Sequence, residues 1–247
     1  MILFWFRRDL RFYDNAGFYN ALIDADKVLP AFVFDESILN KLPKEDARVY
    51  FIYQHIIKMQ GESKAYGSSM LVAKGNPLEL IPKWSEKHDI TAVYANEDYE
   101  PYATARDLKI KKMLGSKGIE FKTFKDQVIF APDEVLKKDG TPYRVYSPFS
   151  RIWMTKEAEQ ELPEYPIRPL LNKLYQKTLP TIPTLEALGF TKTIHQAPKP
   201  NYSLSLIDNY EGVRNFPAID GTSRLGIHLR FGTISIREMV RKAKKSS

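Results

Sequence analysis

The sequence predicts an α/β protein: a doubly wound, Rossmann-like parallel sheet of five strands flanked by helices, followed by a linker and a short, incomplete all-α segment. Apolar, β-rich runs alternate with helix-like stretches in the first half of the 247-residue chain. Parallel strands require crossover connections of helical length, so this alternation indicates a parallel sheet with helices on both faces. Seven prolines between positions 163 and 200 then interrupt any long helix or strand.

Four runs are assigned to buried strands, and the fifth strand is not assigned to a particular run. Each run is short, apolar and bounded by polar or turn-forming residues, as is typical of strands covered on both faces. The four runs are Ile2–Phe6, Val28–Phe34, Ser69–Ala73 and Thr91–Ala95.

The predicted helices lie between these strands. Asp14 is a candidate N-cap for a helix that continues through Leu22. Two further helices are expected to begin at Asn76–Pro77 and at Pro101, because proline is well tolerated in the first turn. A helix after Pro43 is indicated by apolar residues at helical spacing, namely Val49, Ile52, Tyr53, Ile56 and Met59.

We divide the chain into an α/β domain (1–130), a linker (131–200) and the start of a helical domain (201–247). Ligands of open parallel sheets bind beyond the carboxyl ends of the strands, which here means near Arg7–Arg11, Asp35 and Asn96–Tyr102. The linker is expected to lie along a surface, because it carries the apolar residues Trp153, Leu170, Leu171, Leu174 and Tyr175.

Composition bounds the possible partners and the compartment. The chain has no run of about 18 apolar residues that could cross a bilayer, and the apolar start is interrupted by Arg7, Arg8 and Asp9. We therefore expect no membrane partner, and the lack of cysteine fits a cytoplasmic protein. The formal charge of +7 favours polyanions such as DNA. The basic residues within 237–245 either contact DNA or belong to a solvated helix face or a frayed end.

Several familiar sites are missing from the sequence. The chain has neither the G-x-G-x-x-G fingerprint of dinucleotide-binding folds nor a phosphate-binding P-loop. Its four histidines are scattered and lack metal-ligand spacing, so no metal site is predicted. Ser223 has no flanking glycine elbow, which argues against a hydrolase nucleophile.

The most informative segment is Gly221–Gly226, which precedes a helical-looking stretch at Ile227–Arg230. Amide groups at a helix N-terminus, together with the side chains of Thr222, Ser223 and Arg224, would suit a diphosphate. The alternative is that Thr222 and Ser223 merely cap the helix. Ser235 and Glu238 have the spacing of a capping box, which we interpret as structural.

Several stretches in order along the chain resemble the DNA photolyase and cryptochrome family. Tyr210–Pro217, Asp220–Gly226 and Leu229–Arg237 resemble its first flavin-binding motif, and Leu3–Arg11 with Asp14 and Asn15 resembles its opening strand and loop. Three interior stretches also match: Asp46–Arg48 with Phe51, Tyr99–Tyr102 with Arg106 and Asp107, and Gly140–Tyr143 with Ser147–Phe149 and Trp153.

The resemblance implies an α/β domain that holds an antenna chromophore and a larger helical domain that holds FAD beside damaged DNA. It implies a carbon–carbon lyase, deoxyribodipyrimidine photolyase, in which light-excited reduced FAD gives an electron to a cyclobutane pyrimidine dimer, and the dimer then splits. By position, the implied FAD contacts are Tyr210, Thr222, Ser223, Arg224, Leu225 and Gly226.

The antenna chromophore is implied to be a deazaflavin or a folate, with Arg8, Asp98 and Glu100 as its candidate contacts. Deazaflavin is preferred, because Tyr102 and Ala103 stand where folate-binding members carry an Asn-Glu pair. Alternatively, Asp98 and Glu100 only favour the dipole of the helix that begins at Pro101.

The chain corresponds to only about half of a family member, so no catalytic residue is assigned and Trp5, Trp84 and Trp153 are interpreted as packing residues. We expect that the chain alone neither retains FAD stably nor repairs DNA. A cryptochrome-like photosensor is the alternative function, and a generic nucleotide-binding module is disfavoured because the motifs continue through the linker. Uncovered helical faces are expected to favour self-association, around Leu225, Leu229, Phe231, Ile234 and Met239.

Overall fold

The computed structural model describes residues 1–245 and confirms the predicted α/β class. Its strands are β1 (Ile2–Phe6), β2 (Val28–Asp35), β3 (Leu71–Gly75), β4 (Ala92–Asn96) and β5 (Glu120–Phe124). All are parallel, in the spatial order β3-β2-β1-β4-β5. The chain therefore winds outwards from β1 in both directions, and the order reverses between β1 and β4.

Helices connect the strands and continue beyond the sheet. The first five are α1 (Ala16–Asp24), α2 (Glu36–Leu39), α3 (Ala47–Lys64), α4 (Pro77–Lys87) and α5 (Pro101–Gly115). Further along lie α6 (Tyr146–Ala158), a 3₁₀ helix (Arg168–Lys173), α7 (Leu204–Val213), α8 (Gly226–Arg230) and α9 (Ile236–Lys244). None of the helices within residues 1–245 combines the length and the apolar character needed to cross a membrane.

The central strand β1 supplies both hydrophobic cores. All five of its residues are buried, and successive side chains point to opposite faces of the sheet. Phe4 and Phe6 join the core formed with α1 and α3, whereas Leu3 and Trp5 join the core formed with α4 and α5. The uninterrupted apolar run that predicted this strand thus reflects burial on both faces.

The strand predictions hold to within two residues where a run was assigned. The first run matches β1, while β3 begins two residues later than the predicted Ser69. The unassigned fifth strand is β5, at the edge of the sheet, where Glu120 and Lys122 are exposed. Because an edge strand is only partly covered, its apolar signal is weak.

Helix α1 begins one residue later than predicted, so the assignment of Asp14 as its N-cap is wrong. Asn15 is the N-cap, and its side-chain oxygen accepts a hydrogen bond from the Phe18 amide at 3.0 Å. Asp14 has a left-handed backbone conformation, with φ of 42°. Its carboxylate is instead paired with Arg237 on α9 at 3.3 Å.

The proline-rich linker packs against the sheet, as its apolar residues predicted. Leu171 and Leu174 are buried in the core on the α1 and α3 side. The Tyr175 amide donates a hydrogen bond to the carbonyl oxygen of Val28 at 2.8 Å, beside a bridge between Val28 and Leu174. This part of the linker is therefore an additional layer on the fold.

The last helix is held by a buried ion cluster that we call the Asp126 cluster, formed by Arg11, Asp14, Asp126 and Arg237. Asp126 is 2.8 Å from both guanidinium groups. Burial opposes ionisation of Asp126, but Arg11 and Arg237 lower the pKa of its carboxyl group. The carboxylate therefore joins the segment after β1 to α9.

The structure bears on two expectations about the C-terminal segment. Ile234 and Met239 are buried by this chain, so the expectation that they stay uncovered is wrong, whereas Leu225, Leu229 and Phe231 are half-buried. The basic residues of α9 are also engaged within the chain: Lys242 pairs with Glu238 and Lys244 pairs with Glu157. These ion pairs favour the interpretation of α9 as a structural helix over a DNA-contacting tail.

Candidate functional site

A cavity of about 860 Å³ opens at the carboxyl ends of β1, β2 and β4, and we call it the edge cavity. It lies at the point where the strand order reverses, which is where open parallel sheets bind ligands. Its size is within the range of small-molecule sites, roughly 300–1,000 Å³. Apolar side chains from α2, α3 and α8 line it, among them Leu39, Val49, Ile52, Ile227 and Phe231.

The three candidate antenna residues meet at this cavity. Arg8 lies 3.2 Å from a carboxylate oxygen of Asp98 and 2.7 Å from one of Glu100. The Glu100 carboxylate also accepts a hydrogen bond from Arg230 of α8 at 2.5 Å. Arg230, assisted by Arg8, lowers the pKa of Glu100. The carboxylate is thus ionised and directed towards two guanidinium groups.

This arrangement bears on the helix-dipole alternative for Asp98 and Glu100. Glu100 is the N-cap residue of α5, but its side chain makes no capping hydrogen bond there. Its carboxylate is turned towards Arg8 and Arg230 instead. The arginine contacts, and not a cap, therefore define the position of this side chain.

An aromatic and cationic wall forms another side of the edge cavity. The guanidinium group of Arg106 lies 4.6 Å from the Trp5 ring centroid, and that of Arg7 lies 5.1 Å from it. The Tyr102 hydroxyl donates a hydrogen bond to Asp35 at 2.6 Å. Burial and this bond raise the pKa of Tyr102, so the phenol stays protonated. The two guanidinium groups are thus held against the Trp5 ring by cation–π attraction.

The side chains present fit a polar, aromatic ligand. Arg8 Nε is a buried donor without a hydrogen-bond partner in the part of the chain that the structure describes. That atom has essentially no accessible surface, so the terminal guanidinium nitrogens of Arg8 are the ones that meet Asp98 and Glu100 at the cavity. Arg8, Asp98 and Glu100 would hold the polar groups of such a ligand, and the apolar lining would cover its rings.

The sequence reasoning did not identify the contribution of α8 to this cavity. Gly226, Ile227, Arg230 and Phe231 all line it, although they are more than 120 positions away from Asp98 and Glu100 in sequence. Tyr102 was predicted to lie near the ligand, at the end of the loop Asn96–Tyr102, whereas Arg106 appeared only as part of a family motif. The single available signal was that the motif around Arg106 lies at the start of α5, beside a strand end.

The candidate flavin segment, residues 222–226, lies on the surface immediately before α8. Thr222, Arg224 and Gly226 are exposed, and Ser223 and Leu225 are half-buried. None of the backbone amides of residues 222–226 donates a hydrogen bond to another described residue. Unpaired amides of this kind are available to an anion. Tyr210 is 49% exposed on α7, and within residues 1–245 no hydrogen bond joins it to this segment.

The capping alternative for Thr222 and Ser223 is wrong, because the N-cap of α8 is Leu225 and the helix has no side-chain cap. Arg224 has a left-handed backbone conformation, with φ of 52°, and its guanidinium pairs with Asp220 at 2.8 Å. The predicted helix at 227–230 is present as α8, and Ser235 caps α9 by accepting from the Glu238 amide.

Comparisons with known proteins identify the family of this chain. A family model described as DNA photolyase matches residues 2–167. The deoxyribodipyrimidine photo-lyase of a Synechococcus species is 34% identical over 264 residues, covering 98% of this chain and 53% of the relative. The chain therefore spans about half the length of this curated relative.

The chain is also similar to solved structures of photolyases. A class III photolyase from Agrobacterium tumefaciens superposes with a TM-score of 0.80 at 25% identity, covering 98% of this chain and 52% of that structure. An archaeal photolyase from Sulfolobus tokodaii, described as having two FAD molecules that imply a novel light-harvesting cofactor, has a TM-score of 0.73 at 27% identity. The match covers 98% of this chain and 54% of that structure. With two thirds of its length matched by the family model, this chain belongs to the DNA photolyase family.

Proposed function

We propose that this chain forms the antenna half of a light-dependent DNA-repair lyase, with the edge cavity as the chromophore site. The observation that carries the proposal is the convergence of Arg8, Asp98 and Glu100 at an 860 Å³ cavity beside the point where the strand order reverses. The light-harvesting cofactor implied for the Sulfolobus photolyase supports an antenna role for this cavity. The proposed domain division remains 1–130, 131–200 and 201–247.

A deazaflavin is the preferred chromophore. Its flat tricyclic ring would lie against the apolar lining, and its chain of hydroxyl groups would donate to Asp98 and Glu100. The preference over a folate rests on Tyr102 and Ala103, which stand where folate-binding members of the family carry an Asn-Glu pair. When bound, the chromophore would absorb light and pass the energy to a flavin.

The first experiment titrates the purified chain with a hydroxylated deazaflavin and, separately, with methenyl-folate. Quenching of tryptophan fluorescence measures binding. We expect the deazaflavin to bind more tightly. Arg8→Gln should weaken its binding about tenfold to a hundredfold, because a hydrogen bond to a charged group contributes about 1.5–3 kcal/mol. Glu86→Gln on α4, which pairs with Lys117, is the matched control. Absence of binding, or unchanged affinity in Arg8→Gln, would contradict the proposal.

We also propose that residues 222–226 hold part of the FAD diphosphate, with Tyr210 as a further contact, in a protein that acts on damaged DNA. Exposed, unpaired amides support this role. A site open on one side should retain FAD poorly, because cofactor sites normally bury most of their ligand. The test is flavin absorbance of the purified chain, followed by an assay of light-dependent loss of pyrimidine dimers. Stable flavin together with repair would contradict this expectation.

Self-association is proposed through the apolar side chains that remain exposed. Tyr146 and Met154 on α6 and Phe216 after α7 each expose more than half of their surface. Exposed apolar groups of this kind favour association between copies. Light scattering over a wide concentration range should show an increase in mass, and a constant monomer would contradict the proposal.

A further inference from the structure

Helix α8 lies between the two proposed sites and belongs to both. The flavin segment ends at Gly226, which is also the first residue of α8 and a lining residue of the edge cavity. Ile227, Arg230 and Phe231 continue along the cavity wall. A displacement of α8 would therefore change the cavity and the flavin segment together.

The carboxyl end of α8 is fixed to the loop that carries Arg8. The Leu10 amide donates a hydrogen bond to the Phe231 carbonyl oxygen at 3.0 Å, and Arg11 donates to the Gly232 carbonyl oxygen at 2.9 Å. Gly232 has φ of 59°, and a Cβ atom there would lie 2.6 Å from Asp9 Cα and collide with the Arg8 carbonyl oxygen. The close approach therefore requires glycine.

The other attachment of α8 is electrostatic. Arg230 and Arg8 donate to the same oxygen of Glu100, at 2.5 and 2.7 Å. Arg230 and Glu100 are each about half exposed, with side-chain exposures of 50% and 42%. An ion pair at this exposure contributes little to global stability. It attaches α8 to the edge cavity, while the buried His228 attaches the same helix to the Pro198 carbonyl oxygen at 3.0 Å.

We propose that Arg230 is a positioning residue that couples the two sites. By sharing the Glu100 carboxylate with Arg8, it ties α8 to the edge cavity, so that filling the cavity orders residues 222–226. Linkage requires the reverse effect to be equally large. The inference rests on the proposed function for the identity of the two ligands, whereas the mechanical coupling concerns this chain's own residues.

The test uses the absence of cysteine from the chain, which makes a single introduced thiol a clean reporter. Ser223 is half-buried in the flavin segment, so Ser223→Cys reports its opening through the rate of thiol labelling. Adding Arg230→Gln or Glu100→Gln should raise this rate about two- to fivefold, the range that one partly exposed ion pair supports. Arg230→Lys should restore a rate near that of the parent, and Glu86→Gln on α4 should leave it unchanged.

A double variant separates coupling from general loosening. If Arg230 acts through Glu100, the rate in Arg230→Gln/Glu100→Gln should not exceed that of the faster single variant. If the increase in labelling rate of the double variant equals the product of the two single increases, the proposal is overturned. Unchanged labelling rates in both single variants would also overturn it. Gly232→Ala is a second way to displace α8 and should raise the rate more strongly; thermal unfolding followed by circular dichroism would show that the variant is still folded.

A ligand arm distinguishes this inference from the proposed function. Riboflavin serves as a tricyclic probe and should slow thiol labelling of the Ser223→Cys variant. Adding Arg230→Gln to that variant should remove the effect of riboflavin. If tryptophan fluorescence shows that riboflavin does not bind, the chromophore proposal loses support, while the ligand-free rates still decide the coupling. Binding of riboflavin with no change in labelling rate would overturn the coupling.

Discussion

We expect that replacing Asp126 with asparagine, which is nearly the same size, strongly destabilises this protein. The Asp126 side chain has no solvent exposure, and its partners Arg11 and Arg237 are 3% and 5% exposed. Its carboxylate also accepts a hydrogen bond from the Ala16 amide at the start of α1 at 2.9 Å. The substitution would preserve the volume of the side chain and remove its charge.

The magnitude follows from leaving two buried cations without their shared anion. Removing one partner of a buried ion pair costs about 3–5 kcal/mol. The asparagine oxygen can keep one of the hydrogen bonds, and Asp14 still lies 3.3 Å from Arg237, so the lower end applies. We expect a loss of about 3 kcal/mol in the free energy of unfolding, which is more than a hundredfold in the unfolding equilibrium.

Urea unfolding followed by circular dichroism measures this loss, and limited proteolysis shows where it acts. Cleavage near α9 should become faster, because Arg237 is the residue of that helix that contacts Asp126. Asp220→Asn is the matched control, since Asp220 pairs with Arg224 in an exposed position. A loss below about 1 kcal/mol for Asp126→Asn would refute the reasoning, because exposed pairs already reach that value.

Three further predictions concern acid stability, helix packing and the linker. The pKa of Asp126 is lowered in the folded state, so its carboxylate should stabilise the fold above about pH 4, the pKa of an aspartate in the unfolded chain. This stabilisation should be lost as the pH falls further. If the urea midpoints of the parent and of Asp126→Asn fall in parallel, the prediction is contradicted. Gly17→Ala should cost about 1–3 kcal/mol in urea unfolding, since its Cβ would lie 2.6 Å from Asn96 Oδ1, and a neutral result would contradict the tight packing. Leu188→Ala should lower stability by about 2–5 kcal/mol, although Leu188 lies in the linker; a change below 1 kcal/mol in calorimetry would show that this segment is not part of the core.

The sheet could be predicted because burial on both faces leaves a direct mark on the sequence. The run at Ile2–Phe6 matches β1, since each of its residues enters one of the two cores. β5 was not located because it lies at the edge of the sheet and carries exposed Glu120 and Lys122. Asp14 and Asn15 are both good N-cap residues, and only the partners of Asp14 on a distant helix decide between them.

The candidate sites were predictable as separate groups of residues and not as neighbours. Arg8, Asp98 and Glu100 follow the ends of β1 and β4, so the parallel sheet itself brings them together. The approach of Arg230 depends on how α8 rests on the loop after β1, which no local pattern encodes. The burial of Met239 was missed for the same reason, because it depends on tertiary packing of α9.

The linker leucines have a consequence for protein engineering. The core that contains Phe4 and Phe6 also contains the linker residues Leu171, Leu174 and Leu188. A chimera that carried only residues 1–130 would therefore expose the apolar surface of α1 and α3 that these leucines cover. Such a chimera would be prone to aggregate unless the other protein covered this apolar surface. A transferable α/β module would therefore have to extend to about Phe190, the last linker residue of this core.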